Sequence, residues 1–427
     1  MSQQETLAYL YGLERFGMVF GLENISSLLQ VLGDPHLALK VIHVGGTNGK
    51  GSVSAMMASV LQEEGYRVGL YTSPHLVSFT ERIQINGAPI AWEEVVRLTD
   101  LLHRRVDEKN ISQQFTFFDF TTAIAMYYFF LQEVDLSILE VGLGGRLDST
   151  NVVQPLITVI TNVEKDHFQI LGERVEDIAR EKAGIVKQGV PLISGATKSE
   201  VIEILEETCR EKGAPMRLMG RDFWGKRVAP RTIDFRGRTW VLEDIRLGVA
   251  GSYQIANATV ALGALEALEE TGYRVGEEPI YKGLAEVRWP GRLEVVQNAP
   301  QILLDGAHNP AAARSLKASL QEEFDYQLLY MVMGIMADKE VSAILAELAP
   351  LADVLIASSP PNPRAMPAQR IAEIARNYCN EVTVIEDVGE GVDYAREVAQ
   401  KDDLIVVTGS LFTVGAVRDH LLSEGQV

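Results

Sequence analysis

The stretch Gly45-Gly46-Thr47-Asn48-Gly49-Lys50-Gly51-Ser52 carries the residue types that hold phosphate. Glycines let backbone N–H groups approach an anion, and a lysine adds a cation. The common nucleotide-phosphate pattern is G-x-x-x-x-G-K-[ST]. Here Gly51 separates Lys50 from Ser52, and the leading glycines are spaced differently. An ordinary glycine-rich turn is the competing explanation. Further along stand Ser73, Glu140 and His167. Glu140 closes an apolar run just before Gly142-Leu143-Gly144-Gly145. A carboxylate so placed suits Mg²⁺, which takes oxygen ligands alongside substrate phosphates. Cradle, cation and carboxylate together point to chemistry on a nucleotide phosphate.

The elements that must position these groups are short strands and helices in alternation. Residues 41–44 alternate and branch like a buried strand, and 53–61 read as a helix with an apolar face. Strand, glycine-rich turn and helix N-terminus in that order direct the helix dipole at an anion. Further strands are expected over 68–72, ending at Ser73-Pro74, over 134–141, and over 156–162, running into Asp166-His167. In doubly wound sheets, ligands sit at the carboxyl ends of the strands. Lys50, Ser73, Glu140 and His167 therefore fall on one expected edge. Singly, each has a plain alternative: Ser-Pro starts turns, and an isolated histidine is usually structural.

The remaining pattern supplies walls and a second unit. Helices are expected over 5–14, 25–32, 92–108, 173–187, 198–212 and 253–268. Glu81-Arg82-Ile83 reads as a short extended segment. Lys182, in the 173–187 helix, reads as a solvent-facing ion-pair partner. The aromatic run Phe115 to Phe120 opens a helix, and either packs in the core or clamps a flat heterocycle. Residues 216–247 read as β-ribbons appended to the sheet. Trp289-Pro290-Gly291 breaks helix and strand alike and reads as a hinge. Beyond it a strand–helix pattern restarts, with strands expected over 302–305, 328–333, 354–357 and 404–408. Gly306-Ala307-His308-Asn309-Pro310 follows the first of these, and Gly409-Ser410-Leu411-Phe412 the last.

The bulk numbers narrow the class. A chain of 427 residues accommodates two or three domains. A net charge of −19 argues against a nucleic-acid or anionic-membrane partner, because phosphate surfaces attract basic faces. The two cysteines, Cys209 and Cys379, have no metal-binding or disulfide-framework spacing, and Cys209 reads as structural. The polar, acidic start Met1-Ser2-Gln3-Gln4-Glu5 is unlike a signal peptide, and no apolar run is long enough to span a bilayer. A cytoplasmic location is the expectation. The residues alone support a two-domain α/β nucleotide-dependent enzyme whose acceptor substrate they do not identify.

The departure at Gly51 resembles the Mur ligase superfamily, and further motifs resemble its folylpolyglutamate synthase/dihydrofolate synthase family. These are Thr72-Ser73-Pro74-His75-Leu76, Glu81-Arg82-Ile83, Glu140 through Asp148, Asp166-His167, Glu181-Lys182-Ala183-Gly184-Ile185, Arg292, Asp305 through Pro310, and Thr408-Gly409-Ser410-Leu411. They run in family order over nearly the whole chain. The resemblance implies a Mur-ligase-like α/β ATPase domain over 1–293, binding ATP and folate, and a smaller Rossmann-like α/β domain over 294–427, closing over ATP and glutamate. It implies ATP-dependent amide ligation: a pteroate or folate carboxylate is phosphorylated, and the amino group of L-glutamate displaces phosphate. By the same resemblance, Asn48, Gly49, Lys50, Gly51, Ser52, Asn257, Arg292 and Asp305 contact ATP, and Ser73, Glu140 and His167 hold Mg²⁺. Lys182 matches a lysine that the family carbamylates, supporting a second Mg²⁺. Lys182, Asp305 and His308 are implied as catalytic. Thr116, Phe117, Phe118, Asp119, Leu147 and Asp148 match the pterin side, and Ser410 the glutamate or acyl-phosphate side. A monomer is expected.

The competing readings are a peptidoglycan Mur ligase, a small-molecule kinase with a phosphate loop, and a nucleotide-binding regulatory module. The first needs an N-terminal domain for its nucleotide-linked substrate, whereas only about forty residues precede the loop here. The second has no use for a further α/β domain carrying Asp305 and His308.

Overall fold

Branched and apolar residues at 41–45, 68–71, 136–140 and 157–160 form four buried strands side by side. The computed structural model describes residues 1–13, 21–166, 171–172, 174–423 and 425. The first sheet has eight strands: β1 (Val41–Gly45), β2 (Val68–Tyr71), β3 (Ile83–Ile85), β4 (Ala88–Pro89), β5 (Leu136–Glu140), β6 (Ile157–Ile160), β7 (Leu192–Ser194) and β8 (Met216–Leu218). Their order is β4-β3-β2-β5-β1-β6-β7-β8. From β2 to β8 the strands run parallel, with Val44 opposite Glu140, Tyr71 opposite Leu139 and Gly45 opposite Ile160. A parallel sheet needs helices on both faces, which is why its strands are apolar throughout. One face is covered by the helices Lys50–Glu63, Tyr253–Glu269 and Glu277–Glu286. Those at Gln3–Gly12, Glu23–Val31, Trp92–Glu108 and Phe117–Leu131 pack in a second core.

Two features pin the helix that leaves the phosphate loop. A Cβ at Gly283 would stand 2.6 Å from the Val60 backbone, so the helices Lys50–Glu63 and Glu277–Glu286 meet backbone to backbone. Ser59 Oγ donates to the Gly283 carbonyl at 2.7 Å across the same contact.

The second sheet, β12 (Glu294–Asn298), β13 (Gln301–Leu304), β14 (Leu329–Met333), β15 (Val354–Ser359), β16 (Glu381–Asp387) and β17 (Leu404–Thr408), has the order β12-β13-β17-β14-β15-β16. All pairs are parallel except β12–β13, which makes it a Rossmann-like α/β layer. The expected two-sheet α/β architecture is therefore present.

Several local expectations change. Residues 216–247 are not ribbons appended to the main sheet: β8 joins it as a parallel edge, while β9 (Trp224–Ala229), β10 (Thr232–Arg236) and β11 (Val241–Arg246) form a separate three-stranded antiparallel sheet. Phe223, Ile233, Phe235 and Ile245 bury against the Tyr253–Glu269 core, which supplies the apolar partner a small sheet needs. Residues 79–82 form a 3-10 turn capped by Ser78 and Glu81 rather than an extended segment, with strand beginning at Ile83. The helix expected over 173–187 spans Val175–Ala183. The helix Glu277–Glu286 and the strands β12 and β16 carry too many polar or glycine positions to stand out by pattern.

His43, in the centre of β1, is fully buried, and its Nε2 lies 2.8 Å from Thr150 Oγ1. Burial, with Lys187 adding to it, pushes its pKa down to about 3. The imidazole is thus neutral when folded and protonated more readily when unfolded, so its contribution is present above the unfolded value near 6.5 and is lost as pH falls towards 3. We expect the urea midpoint to drop between pH 7 and pH 5, each pK unit being worth about 1.4 kcal/mol. His43→Gln should flatten this drop, and an unchanged pH profile in that variant would refute the assignment.

Candidate active site

The parallel register brings the carboxyl ends of β2, β5, β1 and β6 to one edge, where a cavity of about 890 Å³ lies. Its wall includes the loop from Gly46 to Ser52, Ser73 and Glu140 from the first sheet, and Asp305, His308 and Ser410 from the second. The strand-end expectation for Lys50, Ser73 and Glu140 therefore coincides with one crevice. His167, the fourth of the set, lies outside the described residues.

The loop is built by its own polar groups. Thr47 N–H donates to the Asn162 carbonyl at 3.0 Å, and Asn48 N–H to Asn162 Oδ1 at 2.9 Å. Thr161 Oγ1 donates to the Asn48 carbonyl at 2.7 Å. Gly46 and Gly49 have φ of 142° and 84°, in the region that favours glycine, and a Cβ at either would collide with Thr161 or Asn257. The helix starts at Lys50, so Lys50, Gly51 and Ser52 form its first turn. First-turn N–H groups have no intrahelical acceptor and are available to an anion. Lys50 Nζ is folded back on the Thr47 carbonyl at 3.2 Å.

Lys182 corrects the sequence expectation most sharply. It is not a solvent-facing lysine: it is 4 % exposed, and Nζ donates to the Gly46 carbonyl at 2.8 Å. Burial first, and Lys50 second, push its pKa down to about 7. The helical register alone could not tell that this face points inward under the phosphate loop. Glu140, also 4 % exposed, accepts Ser73 N–H on Oε2 at 3.0 Å. Burial raises its pKa, while Lys50 and the Ser73 N–H oppose the rise.

From the second sheet, Asp305 is fully engaged. Oδ2 accepts Leu293 N–H and the Tyr253 hydroxyl, each at 3.0 Å, and Oδ1 accepts Ala307 N–H at 2.9 Å. It ties the 289–293 linker to the Tyr253–Glu269 helix. Arg292 Nη1 donates to the Gly291 carbonyl, and Asn257 Nδ2 to Gln254 Oε1, both side chains lining the cavity. His308 Nδ1 lies 2.8 Å from the Gly306 carbonyl. Ser410 Oγ accepts Thr413 N–H at 3.0 Å at the start of the Leu411–Ser423 helix.

The set Thr116, Phe117, Phe118, Asp119, Leu147 and Asp148 is not in the cavity wall. Thr116 and Asp119 form a capping box for the Phe117–Leu131 helix, and Asp119 Oδ1 accepts Ser149 Oγ at 2.7 Å. Asp148 is spent on Leu143 N–H and Thr150. Phe117 is core, stacked on Tyr11. Phe118 touches the wall, since a Cβ at Gly142 would stand 2.5 Å from its ring.

Sequence reasoning missed a polar seam between the halves. Asn309 Nδ2 donates to Asn48 Oδ1 at 3.0 Å and to Asp166 Oδ2 at 3.1 Å, while Lys339 pairs with Asp166 Oδ1 at 2.9 Å. Lys339 follows β14, so the strand-end rule applied to the second sheet would have found it. Among the described residues no cluster of three or more His, Cys, Asp or Glu could hold a metal ion. Ser73 and Glu140 still fit a hard cation: both are oxygen donors, and Glu140 Oε1 has no protein donor among the described residues.

The geometry explains the extra glycine. A Cβ at Gly51 would stand 2.6 Å from the Trp289 ring of the linker. Gly51→Ala should raise KM for the nucleotide about 10- to 100-fold, as overpacking of roughly 1–3 kcal/mol displaces loop or linker. Trp289→Ala in the same chain should recover part of that loss, and equal kinetics in the single and double variants would exclude the contact as the cause.

Comparison with known proteins agrees with this architecture. Residues 44–265 match the Mur ligase middle domain, and residues 291–411 match the Mur ligase glutamate ligase domain. A dihydrofolate synthase/folylpolyglutamate synthase from Bacillus subtilis is 34 % identical over 426 residues, spanning 98 % of this chain and 99 % of that protein. The crystal structure of a folylpolyglutamate synthase from Thermotoga maritima superposes with a TM-score of 0.87 at 39 % identity, covering 100 % of this chain and 98 % of the other. Escherichia coli FolC, solved in complex with DHPP and ADP, superposes with a TM-score of 0.89 at 30 % identity, covering 98 % of each chain. With two matched domains and near-complete coverage at this identity, the chain belongs to the dihydrofolate synthase/folylpolyglutamate synthase family of Mur ligases.

Proposed function

We propose that this chain is an ATP-dependent ligase that joins L-glutamate to a pteroate or folate through an acyl phosphate. The observation that carries the reading is one cavity in which the phosphate loop and Lys182 of the first sheet meet Asp305, His308 and Ser410 of the second. A carboxylate oxygen of the folate precursor attacks the γ-phosphorus of ATP, and ADP leaves. The glutamate nitrogen then attacks the acyl carbon, phosphate leaves with the bonding pair, and the nitrogen gives up its proton. Acyl phosphates hydrolyse, so the chemistry needs a crevice that excludes water. Residues 1–293 and 294–427 would act as its two jaws, with ATP and folate on the first and glutamate against the second.

The roles follow from the local chemistry. Asn48, Gly49, Lys50, Gly51 and Ser52 would cradle the ATP phosphates, with Asn257 and Arg292 beside them. Asp305 would position the linker and touch nucleotide only by exchanging one of its present donors. Ser73 and Glu140 would hold Mg²⁺, and His167 is proposed with them from the sequence alone. Bound there, the ion would offset phosphate charge during transfer. Phe118 would approach the pterin from the Gly142 side, with the rest of the 116–119 and 147–148 set supporting that wall. The enzyme would work as a monomer in the cytoplasm; no described helix is long and apolar enough to cross a membrane.

Lys182 would react with CO₂. Its pKa of about 7 leaves much of the amine neutral near neutral pH, the form that attacks CO₂. The neutral nitrogen bonds the carbon of CO₂ and gives up one proton, so that a buried amine, repelled by Lys50 whenever it is protonated, would become an anion suited to a second Mg²⁺.

Pure protein with MgATP and labelled glutamate should give labelled product when dihydropteroate or tetrahydrofolate is supplied, and none without either. Absence of product with both acceptors would sink the ligase reading. Which acceptor is used decides between dihydrofolate synthase, folylpolyglutamate synthase and a bifunctional enzyme. Lys182→Ala should lose activity by about two orders of magnitude or more with its thermal melt retained. Normal turnover in that variant would refute the carbamate role.

A further inference from the structure

The phosphate loop rests on the segment that follows β6. Besides the contacts of Thr161 and Asn162, Thr47 Oγ1 accepts Glu164 N–H at 3.0 Å and donates to the Glu164 carbonyl at 3.1 Å. Lys50 Nζ in turn lies on the Thr47 carbonyl. The Glu164 backbone is thus part of the bed of the loop, and its side chain lines the cavity. The carboxylate is half-buried and accepts Lys198 Nζ on Oε2 at 2.5 Å. Lys198 immediately precedes the helix Ser199–Glu211 and follows Thr197, another residue of the wall. Lys198 itself is not part of the wall.

Four further carboxylates line the cavity among the described residues: Glu140, Asp166, Asp305 and Asp338. Glu140 accepts Ser73 N–H, Asp305 is held by three donors, and Asp166 pairs with Lys339 and Asn309. Asp338 stands on the loop after β14, in the second sheet. Glu164 is the one whose backbone holds Thr47, and Lys198 is its partner in an ion pair. A lone carboxylate beside a polyphosphate site costs affinity, because every charge of the ligand feels it and a low-dielectric wall screens poorly. Ion pairs between partly exposed groups add little to folding stability. Their neutrality matters more to a ligand that carries several negative charges.

We infer that Lys198 serves nucleotide binding from outside the cavity: it neutralises Glu164, and so keeps a carboxylate beside Thr47 from repelling the phosphate chain. The inference rests on the ligase reading only in taking ATP as the nucleotide. The two side chains form a charge couple. Removing Lys198 leaves an excess negative charge beside the loop, removing the charge of Glu164 leaves an excess positive one, and removing both restores neutrality. A pair that merely braced the 161–166 and 195–198 segments would behave differently, since losing either partner would loosen both. Thr47 is held by the Glu164 backbone, so a change of the Glu164 side chain leaves that bond in place.

The test is calorimetric binding of MgATP, MgADP and adenosine to the full chain, with steady-state kinetics alongside. Lys198→Ala should weaken ATP binding about 3- to 10-fold, ADP less, and adenosine by under about twofold, and the effect should fade as KCl is raised. Glu164→Gln should tighten ATP by a similar factor, and the double variant should return to within about twofold of the unaltered protein. Saturated kcat should stay within about twofold throughout, because the pair acts on binding. Unchanged ATP affinity in Lys198→Ala overturns the inference. So does weakening in both single variants, which assigns the pair to bracing the loops, and so does a loss in Lys198→Ala that Glu164→Gln fails to repair, which assigns Lys198 to direct contact. Equal weakening of adenosine with a lowered melt assigns the loss to folding and also overturns it. A chain that binds ATP but joins glutamate to neither acceptor overturns the ligase reading and leaves this inference standing, whereas one that binds no ATP overturns both.

Discussion

Parallel pairing of β2, β5, β1 and β6 is the constraint on which the site depends. Because the four strands run the same way with their ends in register, Ser73, Glu140 and the phosphate loop emerge on one edge, close enough for Glu140 to accept Ser73 N–H. Opposed strands would alternate those ends between the two edges and scatter the groups. The same pairing demands helices on both faces. One of them, Lys50–Glu63, carries the loop's anion-binding first turn and is locked by its Gly283 contact.

That edge brings buried charges of both signs together. Burial first, and repulsion by Lys50 second, push the pKa of the Lys182 amine down to about 7, below the usual lysine range. Burial of Glu140 works in the opposite sense, raising its pKa against the pull of Lys50. Polyphosphate binding and the proposed conversion of the Lys182 amine to an anion would both relieve the repulsion between Lys50 and Lys182. The electrostatics thus agree with the proposed chemistry at the level of individual groups.

The second sheet acts through the linker. Asp305 gathers Leu293 N–H, Ala307 N–H and the Tyr253 hydroxyl on one carboxylate, joining the two sheets at the cavity. Burial raises its pKa while Arg292 and these donors oppose the rise. On the other side, Asn309 caps the Pro310–Glu323 helix with one end of its amide and reaches Asn48 and Asp166 with the other. The halves therefore touch through directional polar bonds as well as apolar contacts, with Ala250 and Tyr253 packed into one core of the second sheet and Leu76 into the other.

The chain's linear pattern determined which strands are buried, where the phosphate loop lies and that Ser73 and Glu140 stand at the ends of successive parallel-sheet strands, because a side-chain period of two and glycine placement are local properties. The same pattern located the Trp289-Pro290-Gly291 break. Only tertiary structure decided which face of the Val175–Ala183 helix points inward, and so that Lys182 is buried under Gly46 rather than solvated. It also decided that the 224–246 hairpins form their own sheet and that Thr116, Asp119 and Asp148 spend their polar atoms on caps. Each of these depends on which distant surface fills the space beside a residue, and helix or strand periodicity carries no record of that.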